Sequence, residues 1–217
     1  MTGQAFGHIP LFAGMAAEQL EAVAGLAVRQ TYERGQLIFS QNDPGDGLYL
    51  VDSGRVKVCL AQEEEVILGL LGPGEYFGEM ALIDAESRST TAMAYQDCEL
   101  RFIPKRDFRR LLRESNELAQ NLLQGLSERL RSANDLIAAL ATQDVTGRVT
   151  RLLLQYADIE KSQLVVVEPL TQQDIAKMVG ASREMVNRSL QELARRGLIE
   201  RKEGRIVLSG FAAPPLE

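Results

Sequence analysis

Two stretches of this chain place charged and hydroxyl side chains where they could hold a ligand. In residues 74–92, GEYFGEMALIDAESRSTTA, a carboxylate (Glu79) and an arginine–hydroxyl pair (Arg88, Ser89) stand among Phe77, Met80, Ala81 and Leu82. A guanidinium fork matches phosphate oxygens, and a carboxylate across the same pocket accepts from a ribose hydroxyl. The same residues also suit an Arg88–Glu79 or Arg88–Glu86 ion pair on a surface loop. Residues 171–196, TQQDIAKMVGASREMVNRSLQELARR, put Arg183, Glu184, Asn187 and Arg188 on one outward face. Arginine pairs in bidentate fashion with guanine O6 and N7, and glutamate accepts from cytosine N4. Each such contact discriminates by ~1–3 kcal/mol. A solvated face on a structural or protein-binding domain would use the same residue types.

The rest of the reactive inventory is thin. His8 is the one histidine, and Cys59 and Cys98 are remote from each other with no Cys-x-x-Cys. No nucleophile–base set can be assembled from these, so an enzyme is not expected. Neither is a metal, a haem or an iron–sulfur cluster. The two thiols read as small apolar strand residues. Free cysteines, no apolar run near the ~18–20 residues that span a bilayer, and an N-terminus without a basic, then apolar, leader predict a cytoplasmic protein with no membrane partner.

The elements that must position these residues follow from period and turn chemistry. Residues 10–28 have helical spacing and read as one short helix. From Val28 to Phe102, apolar runs such as LIFS, LYLV, RVKVCLA, EVILGLL and CELRFI alternate with Gly, Pro, Asn and Asp clusters. That texture predicts a small antiparallel barrel or sandwich enclosing a pocket. Leu123, Leu126, Leu130, Ala133, Ile137 and Leu140 then alternate spacings of three and four. This is either a seam against a partner helix or the inner face of an amphipathic helix. Glu128, Arg129, Arg131 and Asp135 are assigned to its outside. Asp144-Val145-Thr146-Gly147-Arg148 interrupts the helix and offers caps. A second helix, RVTRLLLQYADI, and a strand, LVVVEPL, follow.

Thr171 and Asp174 make a capping-box-like start, Gly180 a tight turn and Ser182 a second cap, which together predict a helix-turn-helix. Met185, Val186, Leu190 and Leu193 are its expected inner face. LIERKEGRIVL alternates like a hairpin wing, with Arg201, Lys202 and Arg205 offered to phosphates. Net charge is −6 overall, but −8 over residues 1–145 and +3 over 146–205. An acidic front and a mildly basic back suggest two modules with different partners.

PGEYFGEMALIDAESRSTTA resembles the phosphate-binding cassette of cyclic-nucleotide-binding domains. From Ile9-Pro10-Leu11-Phe12 to the SREMVNR segment, nearly the whole chain resembles transcription regulators of the CRP/FNR family. The resemblance implies an α+β fold in three parts. These are a β-jelly-roll effector domain over 1–115, a dimerisation helix over 116–143 and a winged helix-turn-helix over 144–217. It implies that Glu79 binds a ribose 2′-hydroxyl and that Arg88 and Ser89 bind a cyclic phosphate, within a site including Gly78, Met80, Ala81 and Thr90. On DNA it implies contacts from Thr171, Gln172, Gln173, Ser182, Arg183, Glu184, Asn187, Arg188, Arg201 and Lys202. Arg183, Glu184 and Arg188 would read a TGTGA-type half-site of a pseudo-palindrome.

The implied partners are double-stranded DNA, a second copy and, for an activator, RNA polymerase. The expected effector is a cyclic nucleotide, cyclic AMP ahead of cyclic GMP. Where the cyclic-AMP branch has a base-reading Thr-Ser pair, this chain has Ala133 and Asn134. Asn134 suits adenine N6 or guanine O6 and N1. An apo-active regulator, or one answering to a cyclic dinucleotide or another metabolite, is the alternative. No cysteine set for an iron–sulfur cluster is present.

Overall fold

The computed structural model describes residues 6–160, 163–167, 170–202 and 205–209. The chain divides into two compact units, Met1–Arg131 and Ser132–Glu217. The division falls inside one long helix, whereas the sequence reading places its boundaries at either end of that helix.

In the first unit, residues 10–28 do not form a single helix. A 3₁₀ turn over Pro10–Phe12 ends at Ala13, Gly14 takes φ +76°, and only then does α1 (Ala17–Leu26) begin. The left-handed glycine breaks the run, because a helix cannot continue through positive φ. The strands that follow are β1 (Val28–Tyr32), β2 (Leu37–Phe39), β3 (Gly47–Ser53), β4 (Val56–Leu60), β5 (Val66–Leu71), β6 (Tyr76–Phe77), β7 (Thr91–Ala94) and β8 (Cys98–Pro104). They form two antiparallel sheets, ordered β1-β8-β3-β6 and β2-β7-β4-β5, the expected jelly-roll sandwich. The short helix α2 (Met80–Ile83) lies between β6 and β7. Cys59 and Cys98 are buried, in β4 and β8, and are not joined in a disulfide.

Side-chain alternation along a strand divides the apolar residues of β3 between two cores. Leu48 and Leu50 join a helix-side cluster with Phe12, Phe108 and Leu118, while Tyr49 and Val51 join the sandwich interior. β6 follows the same rule, with Tyr76 on the helix side and Phe77 inside the sandwich. α3 (Lys105–Glu114) packs on β3 and β8. The long helix α4 (Asn116–Thr142) brings Leu118 and Leu122 into the helix-side core. Its other stripe stays exposed: Leu123 at 65%, Leu130 at 63% and Ile137 at 64%. Leu126, read as part of that seam, instead packs against the helix-side core.

In the second unit Asp144 caps α5 (Val145–Gln155), its Oδ1 accepting from Gly147 N–H at 2.8 Å. The sequence reading extends this helix through Ile159. Instead Ala157–Glu160 forms β9, paired with β10 (Gln163–Val166), because the ladder supplies backbone partners once Tyr156 leaves helical geometry. α6 (Gln172–Val179) has a full capping box from Thr171 and Asp174. Gly180 follows at φ +62°. Ser182 caps α7 (Arg183–Arg195), its hydroxyl accepting from Met185 N–H at 3.3 Å.

Met185 is not on the inner face of α7, being 40% exposed; Val186, Ser189, Leu190 and Leu193 are buried. Each residue turns the helix by about 100°, so a stripe centred on Val186 and Leu190 leaves Met185 at its solvent edge. The Ser189 hydroxyl is satisfied by Thr146 Oγ1 at 3.0 Å. β11 (Ile199–Lys202) and β12 (Arg205–Leu208) complete a sheet ordered β11-β12-β10-β9. Residues 168–169 of LVVVEPL and 203–204 of LIERKEGRIVL lie outside the described residues.

Candidate functional site

The cassette between β6 and β7 carries its charge inward. Arg88 is 2% exposed. Its Nη1 donates to Gly78 O at 2.7 Å, and its Nη2 to Gly47 O at 2.9 Å and Asp46 Oδ1 at 2.5 Å. Its guanidinium lies 4.3 Å from the Phe39 ring centroid. Neither ion pair anticipated from sequence forms, because Arg88 pairs with Asp46, an exposed carboxylate on the β2–β3 loop. Backbone bonds hold that loop to the cassette: Arg88 N–H donates to Asp43 O and Asn42 N–H to Arg88 O. Gly78, at φ +83°, turns the chain against the arginine; a Cβ there would collide with Arg88 Nη1.

Glu79 is also buried, and its Oε1 accepts from Arg129 Nη1 of α4 at 2.7 Å. Arg129 donates as well to Tyr76 O and stacks 4.6 Å from the Tyr76 ring centroid. The heptad pattern assigns Arg129 to the outside of α4. It faces inward because α4 has a second stripe, Leu118, Leu122 and Leu126, on the side of Arg129. Among the described residues, three buried polar atoms lack hydrogen-bond partners: Glu79 Oε2, Arg88 Nε and Tyr76 Oη. Native interiors rarely leave such atoms unfilled. A free carboxylate oxygen and a free guanidinium N–H are the acceptor and donor that a sugar hydroxyl and a phosphate would fill.

Ser89 is exposed, its Oγ 3.6 Å from Met80 Sδ; Met80 is exposed, Ala81 buried and Thr90 half-buried. Ala133 and Asn134 are exposed residues of α4 in the second unit. The described residues contain no group of three or more His, Cys, Asp and Glu suited to a metal ion. None of their helices is long and apolar enough to cross a membrane.

In the second unit, α7 presents Arg183, Glu184 and Arg188 to solvent. The two arginines form no ion pair among the described residues. The Glu184 carboxyl is held below the ordinary range, first by its own backbone N–H, then by the Ser182 hydroxyl and the Arg183 and Arg188 charges. The Glu184 side chain is thereby favoured as a hydrogen-bond acceptor. Thr171 and Ser182 spend their hydroxyls on capping. Gln172 Nε2 donates to Asn187 Oδ1 at 3.2 Å, cross-linking the two helices, while Gln173 is exposed.

On the wing, Arg201 is exposed and forms no ion pair among the described residues, but Lys202 pairs with Glu200. Arg205, expected to be available to phosphates, makes a bidentate pair with Glu160. Arg148, which the sequence pattern marks only as part of the interruption between two helices, donates to Val179 O, Gly180 O and Gln143 O. It sits at the C-terminal ends of α4 and α6, where helix dipoles favour a cation.

Residues 29–115 match the cyclic nucleotide-binding domain family, and residues 147–213 match the Crp-like helix-turn-helix domain. The chain is 35% identical over 204 residues to a CRP-like cAMP-activated global transcriptional regulator of Mycobacterium tuberculosis, covering 91% of each. The chain belongs to the CRP/FNR family of transcription regulators.

Another relative is the cyclic AMP receptor protein of Thermus thermophilus, 36% identical over 199 residues with 91% of each chain covered. A solved structure, the c-di-GMP-responsive global regulator CLP of Xanthomonas campestris, superposes with a TM-score of 0.77 at 28% identity. It covers 90% of this chain and 100% of its own. Like other CRP/FNR members, the protein is a DNA-binding transcription regulator and not an enzyme, and it carries a cyclic nucleotide-binding domain.

Proposed function

We propose that this regulator is a homodimer that binds a pseudo-palindrome of TGTGA-like half-sites under control of a cyclic nucleotide, cyclic AMP ahead of cyclic GMP. The observation that carries the effector reading is the pair of buried, oppositely charged groups in one cassette, each with an unfilled hydrogen-bonding atom: Glu79 Oε2 and Arg88 Nε. A ribose hydroxyl donates to the first and a cyclic phosphate accepts from the second, with the exposed Ser89 hydroxyl as a further donor. Relatives named for cyclic AMP support the choice of ligand. Asn134 and Ala133 would meet the base.

The ligand switches the protein through differential affinity for two arrangements of α4. Pairing of the exposed Leu123, Leu130 and Ile137 stripe with a second copy would set two α7 helices about 34 Å apart, in successive major grooves. Arg183, Glu184 and Arg188 then read bases, Arg201 and Lys202 meet the backbone, and polymerase is the further partner of an activator. A second reading, a cyclic dinucleotide as effector, is favoured by the likeness to the c-di-GMP-responsive regulator.

The test is calorimetric titration with cyclic AMP, cyclic GMP and cyclic di-GMP, repeated on Arg88→Leu with a circular-dichroism check of folding. Binding of a mononucleotide, lost in the variant, supports the reading. Heat from the dinucleotide alone favours the second. No heat from any ligand overturns nucleotide control and leaves DNA binding standing.

A further inference from the structure

We propose that Tyr76 and Gly125 form a size-matched joint that sets how closely α4 lies on the effector cassette. Tyr76 acts as a positioning residue for Arg129 and, through it, for Glu79. The proposal rests on reading Glu79 as an effector ligand.

Glycine is the least favourable residue inside a helix after proline, yet α4 carries one at position 125. Gly125 and Arg129 are four apart and share a face, the face that meets Tyr76. A Cβ at Gly125 would fall inside the van der Waals envelope of the Tyr76 hydroxyl, and 3.3 Å from its Cζ. The tyrosine cannot swing aside. It is 6% exposed, sits in the cluster that holds Leu118 and Leu122, and lies beneath the Arg129 guanidinium at 4.6 Å. Its backbone carbonyl accepts from the same arginine.

The Tyr76 hydroxyl is buried with no hydrogen-bond partner among the described residues. A buried hydroxyl without a partner is unfavourable, so burial alone would suit phenylalanine better. What the oxygen contributes is bulk: it fills the notch that a missing side chain opens in α4. One turn farther along the helix, Arg129 is thereby held over the ring with its fork on Glu79 Oε1. Tyr76 is also separated from the effector carboxylate only by Phe77 and Gly78, so the Gly125 contact acts beside the Arg129 bonds that tie α4 to the cassette.

Six proteins test this: wild type, Gly125→Ala, Tyr76→Phe and their double variant, together with Arg129→Gln alone and combined with Gly125→Ala. Amide hydrogen exchange over residues 76–82 and calorimetric cyclic AMP affinity are the readouts. In Gly125→Ala, exchange should rise about tenfold and affinity fall about fivefold. Adding Tyr76→Phe relaxes the closest contact to 3.3 Å and should restore both to within about twofold of wild type. With Arg129 replaced, Gly125→Ala should no longer alter affinity.

An inert Gly125→Ala, a defect that Tyr76→Phe does not relieve, or a loss of affinity that persists undiminished without Arg129 would each overturn the joint. If the wild type binds no cyclic nucleotide, the effector reading fails on its own. The exchange pattern then decides the joint, rescue supporting it and absence of rescue refuting it.

Discussion

Glu184 is the second residue of α7, with its carboxylate held ionised by local donors and by the charges of Arg183 and Arg188. On the proposed reading, such a carboxylate acts as a filter: it would accept from cytosine N4 and be repelled by phosphate. Glu184→Ala should therefore flatten the ranking of half-site variants while leaving non-specific affinity unchanged or slightly tighter. Losing one base contact should reduce the penalty for the wrong base at that position by ~1–3 kcal/mol. Mobility shifts on a panel of single-base operator variants measure this; an unaltered ranking would remove Glu184 from the base-reading set. The chemistry of this residue was legible in the sequence because its determinants are neighbours in the chain. Arg88 was legible only by type. Its partner Asp46 lies 42 residues away, and nothing in local spacing announces a pair that the sheet topology creates.

At the scale of elements, α7 ends on a compact charge cluster. Glu192 accepts from Arg195 and Arg196, and these hydrogen bonds lower its carboxyl from 4.5 to about 2. A carboxyl depressed in the folded state stabilises the fold above its unfolded value, and that contribution fades as pH falls toward the folded one. The last turn of α7 should therefore be firm at pH 5 and loosen between about pH 4.5 and 2. A carbon-detected NMR titration should place the Glu192 midpoint near 2; a midpoint above 4 would show that the arginines do not hold it. The helix-turn-helix could be read from sequence because its signals are local: the Thr171–Asp174 box, the left-handed Gly180 and the Ser182 cap. β1 and β6 could not, since VRQTY is mostly polar and Tyr76–Phe77 is two residues long. Only pairing with β8 and β3 makes strands of them. α4 was half-read for a related reason. Its heptad stripe dominates the pattern, and the second stripe that turns Arg129 inward has meaning only against the cassette.

For the whole molecule, the exposed stripe of α4 carries the prediction. Ile137 is 64% exposed, far more than an isolated core position would be, and a second copy is the proposed cover. A buried, unpaired charge is strongly unfavourable at a helix–helix seam, so Ile137→Glu should convert a sedimenting dimer to a monomer and weaken operator binding by more than about tenfold. An unchanged sedimentation coefficient would mean that the stripe is not the dimer contact.

The internal pairing of the cassette bears on how the protein is made. Arg88 already rests on Asp46, Gly47 and Gly78, and Glu79 on Arg129, so the groups that would grip an effector have counter-charges encoded in the same chain. On the proposed reading, a newly synthesised polypeptide would need no effector to complete these pairs, and folded regulator would accumulate ahead of the stimulus. Such a stock would answer a rise in effector at the speed of ligand exchange rather than at the speed of translation.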